Sequence, residues 1–183
     1  MMKSSIMNYL VVVAAVSMLV GCGFTINPYS ASVTNVMAIK NSGTKPVSIA
    51  SFSSYKPDLS SIGCRAAGPI ETPDKSSFES YIRKAFIEEL SLAGLYDPTS
   101  PLVLQGMVEE LDFNSNIGAG KWVISLSISS NKNNGYKVSS TYKFSTNWVA
   151  DKACQQVAQA FVPAVQQLIL KTISDPRFKA LSQ

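Results

Sequence analysis

Apolar residues recur along this chain in two regular rhythms and one unbroken run. From Phe78 to Ala93, the residues Phe78, Tyr81, Ile82, Ala85, Phe86, Leu90 and Ala93 fall three and four apart, which predicts an amphipathic helix. Ser76, with Glu79 three residues on, fits a capping box at its start. Gly94 fits the left-handed position past its end, and Pro98 and Pro101 prevent continuation. A second stripe, Ala150, Cys154, Val157, Phe161, Val165, Leu168 and Ile169, predicts a long helix over 150–174. Pro163 lies inside it and removes one backbone donor, so a kink is expected rather than a stop, since the pattern continues. Asp175-Pro176 then starts a short turn, with Asp as cap.

The rhythm of two dominates between these helices. Trp122, Ile124, Leu126 and Ile128 point one way, and Ser125, Ser127 and Ser129 the other. Tyr136, Val138, Tyr142, Phe144 and Trp148 read as the return strand, with Asn133-Asn134-Gly135 as the turn. In the run 102–114, Leu102, Leu104 and Val108 share one parity, and Leu111 and Phe113 the other. That switch predicts a β-bulge at Glu109-Glu110. Upstream, Val33–Lys40 and Val47–Tyr55 are β-prone runs punctuated by Asn41-Ser42-Gly43 and Pro46, and the Pro/Ser/Gly-rich residues 56–75 read as a long loop. The order strand, strand, helix, three strands, helix predicts one α+β domain over 33–183. It is a two-layer sandwich: an antiparallel sheet with two long helices on one face.

The unbroken run is Tyr9 to Val20, preceded by Lys3. At about a dozen residues it is too short for a membrane-spanning helix, which takes about 20, and suits the h-region of a signal peptide. It ends in Leu19-Val20-Gly21-Cys22, which resembles the lipobox of bacterial lipoproteins. The resemblance implies cleavage after residue 21, lipidation of Cys22 and a lipid-anchored mature chain. The alternative is an ordinary secretory signal with a chance cysteine. Each buried acyl methylene contributes about 0.8 kcal/mol, so two or three acyl chains hold a protein to a bilayer stably. Residue 23 is Gly rather than Asp, and in such lipoproteins the absence of Asp there points to the outer membrane. Residues 22–32, with Asn27-Pro28 and several Ser and Thr, read as the lipidated cysteine and a short tether.

Composition narrows the chemistry. The chain of 183 residues carries 16 basic and 12 acidic side chains and no histidine. Loss of the signal segment removes only Lys3, leaving a scattered charge of +3 with no basic stripe for nucleic acid. Without histidine, neither a Ser-His-Asp nor a Cys-His site can form within the chain, and no metal-ligand spacing is present. No cofactor is expected. Gly118-Ala119-Gly120-Lys121 looks like part of a phosphate loop. However, Ser115 stands where its first glycine belongs and Trp122 where Ser or Thr must bind magnesium, so hairpin-turn chemistry and no nucleotide is the expectation. Five carboxylates remain for acid–base work. Glu88 and Glu89 lie off the helix stripe as read above and are expected to face water. Glu109 and Glu110, adjacent on a strand beside Asp112, should point to opposite faces unless the bulge turns them. No enzyme activity is expected.

Cys64 and Cys154 are the cysteines left once Cys22 is lipidated, and an oxidising compartment favours a disulfide between them. It would clip the long loop to the first turn of the second helix and remove roughly 4–5 kcal/mol of unfolded-chain entropy at most. Two unpaired buried thiols are the alternative.

The Leu19–Gly23 start, the Tyr81–Leu95 helix with its Gly94-Leu95-Tyr96 exit, and the strand pair followed by the helix around Cys154–Ile173 together resemble small envelope lipoproteins. These include the lipopolysaccharide-assembly lipoprotein of the outer membrane and the auxiliary lipoproteins of ABC-type transporters. The resemblance implies a non-catalytic, outer-membrane-anchored accessory protein, facing the periplasm, that binds another envelope protein. The alternative is a carrier of lipid or glycolipid that uses a cleft between sheet and helices.

Overall fold

The computed structural model describes residues 23–182; the expected signal segment 1–21 with Leu19, Val20 and Gly21, and the expected lipidation site Cys22, lie outside the described residues. The elements are β1 (Phe24–Thr25), α1 (Val33–Asn41), β2 (Ser48–Ile49), β3 (Ser53–Ser54), β4 (Ser61–Cys64), β5 (Gly68–Glu71), α2 (Phe78–Ala93), β6 (Val103–Asn114), β7 (Gly120–Ser130), β8 (Asn133–Phe144) and α3 (Ala150–Ile173). A 3-10 turn, Lys179–Ser182, follows. The chain forms an α+β sandwich. β6, β7 and β8 make an antiparallel meander, and α2 and α3 pack on its apolar face.

That face is built by the alternation in the sequence. Trp122, Ile124, Leu126 and Ile128 are all buried, as are Val157, Phe161, Val165, Leu168 and Ile169 of α3. The Trp122 ring lies 4.8 Å from Phe161 and 4.9 Å from Phe113, and its indole N–H donates to the Val157 carbonyl at 2.9 Å. An aromatic ring this large can be buried whole because its one polar atom has a partner. The bulge appears where the parity switches: Val108 pairs with Leu126, Glu110 pairs with Ser125, and Glu109 is the extra residue.

Several elements differ from expectation. Val33–Lys40 is the helix α1, not a strand. Ser32 caps it through the Asn35 amide, and Asn35 and Ile39, four apart, are its buried face. The run 47–55 is broken into β2 and β3, both parallel to β6, so the sheet is mixed rather than antiparallel. The break comes where the Arg83 guanidinium takes the carbonyls of Ile49 and Ala50, at 2.9 and 2.8 Å. There the Phe52 ring also packs over Gly106, whose missing Cβ would meet it at 2.7 Å. The 56–75 segment is no plain loop: it contains the hairpin β4–β5, which with β1 forms a second, three-stranded sheet. Ser77, not Ser76, caps α2, and Glu79 accepts from the Asp58 amide at 3.0 Å instead of closing a capping box. Trp148 lies beyond the end of β8. Pro163 lies within α3, and Gly94 takes the left-handed position after α2, with φ +75°.

The β7–β8 turn falls at 131–132, two residues before the Asn-Asn-Gly signal. Gly135 instead occupies a left-handed bulge inside β8, with φ +76°, facing Ile128 and Ser130. A Cβ there would sit 1.8 Å from the Ile128 carbonyl oxygen, whereas one on Gly94 would meet nothing within 4 Å. Gly94→Ala should therefore cost only the left-handed backbone term, about 1 kcal/mol. Gly135→Ala should cost about 3 kcal/mol, because the strand end must also part. Urea unfolding of both variants measures the gap; equal losses would mean that β8 is not paired this tightly at Gly135.

Candidate functional site

Residues 23–32, expected to be a tether, are docked on the domain. β1 pairs in parallel with β5, and the Ile26 amide donates to the Glu71 carbonyl at 2.8 Å. Ile26 is fully buried. The Tyr81 hydroxyl donates to the Asn27 carbonyl at 2.8 Å, and the Gln166 amide donates to the Ser30 carbonyl at 2.8 Å. Glu89, expected to face water, is fully buried and organises the segment. Its Oε1 accepts from the Tyr29 hydroxyl at 2.6 Å, the Ser32 backbone amide at 2.9 Å and the Asn35 side-chain amide at 3.1 Å. Burial and the bond to Glu89 push the Tyr29 phenol well above the ordinary tyrosine range, so it stays a donor. The signal for this was present in the sequence: Glu89 stands three residues after Phe86 and four before Ala93, on the buried side of α2. Glu88, its neighbour, is half-buried beside Pro28 and Tyr29.

The docked segment starts at one end of the molecule, and the disulfide lies at the same end. Cys64, the last residue of β4, is bonded to Cys154 in the first turns of α3, with Cα atoms 5.9 Å apart and a sequence separation of 90. The β4–β5 turn that follows places Arg65 and Ala66 at φ +46° and +55°, a pair of left-handed conformations that side-chain-bearing residues adopt at a cost. Arg65 has a compensating role there. Its guanidinium donates to the Ser115 hydroxyl at 3.0 Å and to the Asn147 and Trp148 carbonyls at 3.2 and 3.4 Å. It thereby ties the β4–β5 turn to the β6–β7 loop and to the β8–α3 loop. These two loops are also bonded to each other, through the Gly118 amide and the Thr146 carbonyl at 3.1 Å and through the Thr146 hydroxyl and the Asn116 carbonyl. Gly118, Ala119, Gly120 and Lys121 line an open cleft of about 480 Å³ with Lys143, Phe144 and Ser145.

Among the described residues, no helix packs on the meander's other face. The bulge turns Glu109 and Glu110 onto this one face, so the expectation of opposite faces holds only for an unbulged strand. Glu109 bonds to Ser127 and Lys137, which hold its carboxyl below the usual carboxylate range. Glu110 accepts from the Ser125 hydroxyl at 2.8 Å, and Ser125 in turn meets Ser139 at 2.9 Å. Asp112 is exposed on the same strand and accepts from the Phe113 amide. Glu89 lies apart from all three, in the helical layer. Among the described residues no three His, Cys, Asp or Glu side chains gather where they could hold a metal ion, and no helix is long and apolar enough to cross a membrane. The layer between sheet and helices, where a carrier would hold its lipid, is occupied by Trp122, Phe161, Phe78 and Tyr81, whose rings lie 4.8–5.4 Å from Phe161.

Glu89→Ala leaves three donors of the N-terminal segment without their acceptor and should cost about 3 kcal/mol. The loss should be local as well as global: limited proteolysis read by mass spectrometry should find new early cuts within 23–32. A variant that loses stability with no such cuts would show that Glu89 does not hold the segment.

Comparison with family models and with curated proteins finds no match to this sequence. Among solved structures, a Xanthomonas campestris protein of the family DUF330 is similar in fold. It aligns over 83% of this chain and 92% of its own, with a TM-score of 0.53 at 8% identity. A dodecameric PelC variant from Paraburkholderia phytofirmans aligns over 77% of this chain and 96% of its own, at 15% identity and a TM-score of 0.33. The first likeness is one of fold alone.

Proposed function

We propose that this chain is a lipoprotein of the bacterial envelope, anchored through Cys22 in the outer membrane, that serves as a non-catalytic accessory subunit by binding another envelope protein on the open face of its meander. The observation that carries this reading is the asymmetry of the sheet. One face is filled by aromatic packing against α2 and α3, and the other is an ordered polar platform with nothing over it. Glu109 and Glu110 are held by serines and a lysine of neighbouring strands, so the platform is presented in one arrangement and needs little ordering when a partner binds. β8, at the meander's edge, adds a row of backbone groups with no strand beside it. The carboxylates are self-paired or separated, which suits recognition better than proton transfer. The lipobox residues Leu19, Val20, Gly21 and Cys22 support the anchor, and the disulfide suits an oxidising compartment.

A photo-crosslinking residue placed at Thr141, exposed on the platform, should give a discrete adduct with one envelope protein in intact cells. The same residue at Leu92, exposed on the helical side, should not. Adducts from Leu92 alone, or from neither position, would overturn the platform as the binding face.

A further inference from the structure

The end of the molecule at which the described chain begins carries an unusual set of side chains. Gly23 is fixed beside the Pro69 carbonyl and the Glu71 side chain of β5, the strand that follows the Arg65 turn. Cys22 precedes Gly23 in the sequence, so on the lipid-anchor reading the lipid joins the chain one residue before this docked segment. The loops tied together by Arg65 surround that end, and they expose two large apolar side chains, Trp148 at 76% and Ile117 at 73%. Neither has a packing role that would account for its identity. The cations of this end are Arg65, Lys121, Lys143 and Lys152, against the acids Glu71 and Asp151.

Resting on the lipid-anchor reading above, we infer that this end is a membrane-docking surface: Trp148 and Ile117 enter the interfacial layer of the same leaflet that holds the Cys22 lipid, and Lys121 and Lys143 meet its phosphates. Tryptophan favours that layer because its ring is apolar and its N–H finds water or headgroup oxygens. Lysines beside it gain from anionic headgroups. The strands of the meander run away from this end, so the seated protein holds its polar platform upright, side-on to the periplasm, instead of lying against lipid. The anchor alone would tether the domain; the Trp148 contact together with the docked 23–32 segment sets its orientation.

The two tryptophans make a direct test. Trp122 is fully buried and reports the core, while Trp148 reports this surface. The mature protein, with acylation of Cys22 checked by mass spectrometry, is reconstituted into vesicles of phosphatidylethanolamine and phosphatidylglycerol doped with acyl-brominated phosphatidylcholine. Trp148 emission should shift to the blue on reconstitution and be quenched by the bromines. Trp148→Phe, which replaces an exposed indole by a phenyl ring and leaves buried Trp122 as the emitter, should float with the vesicles yet show no quenching. Acylated protein that floats with unquenched, red-shifted Trp148 overturns the docking surface and leaves the anchor standing. A chain with no lipid on Cys22 overturns both.

Discussion

One buried carboxylate oxygen, Glu89 Oε1, ties both the N-terminal segment and the start of α1 to α2. Tyr29 and the Ser32 amide of the segment and the Asn35 side chain of α1 all donate to it, while Glu89 itself is held in the apolar face of α2. Burying a carboxylate is costly without hydrogen bonds, and all three donors serve Oε1 while the buried Oε2 has no partner among the described residues, so α2 depends on these donors and they on it. With the segment seated, Ser32 can cap α1, Ile26 fills a core position and β1 completes the small sheet. Without it, α1 has neither cap nor floor.

The same end is fastened from the other side by covalent and polar ties. The disulfide joins the small sheet to α3, and Arg65 joins it to both loops of the meander's end. The small sheet is thus the connector between the start of the described chain and the large sheet. The residues that provide this connection are the ones whose local conformations are least favourable: two left-handed non-glycine residues in a turn and an ionisable side chain in the core.

What the sequence made legible follows from how local each cause is. α2, α3 and the meander are written in apolar periodicities that need no distant partner, and even the bulge at Glu109 shows as a change of parity. The disulfide was legible because reading Cys22 as lipidated leaves one pairing of the remaining cysteines. α1 was not, because Val33, Val36 and Ile39 are β-prone and the groups that favour a helix there sit on α2 and α3: Glu89 is 57 residues from Ser32, and the Gln166 carbonyl, which takes the second Asn35 donor, is 131 residues from Asn35. β2 and β3 were misread for the same reason, since Arg83 and Gly106 decide where the strand breaks. The role of Glu89 could have been found by following the helical period through the charged position instead of assigning it to water on its type. Trp148 read as a strand residue because its parity continues that of β8, although it lies in the 145–149 loop, one residue before Val149, the N-cap of α3.

The central claim is that the chain beside Cys22 is part of the folded domain rather than a tether. Hydrogen exchange of the mature protein, resolved to single amides, tests it most directly. The amides of Ile26 and Ser32, bonded to the Glu71 carbonyl and to Glu89, should be protected to the degree of the β6–β8 amides and should lose that protection in the same global opening. Exchange of both at the rate of an unstructured peptide, while the meander stays protected, would contradict the account.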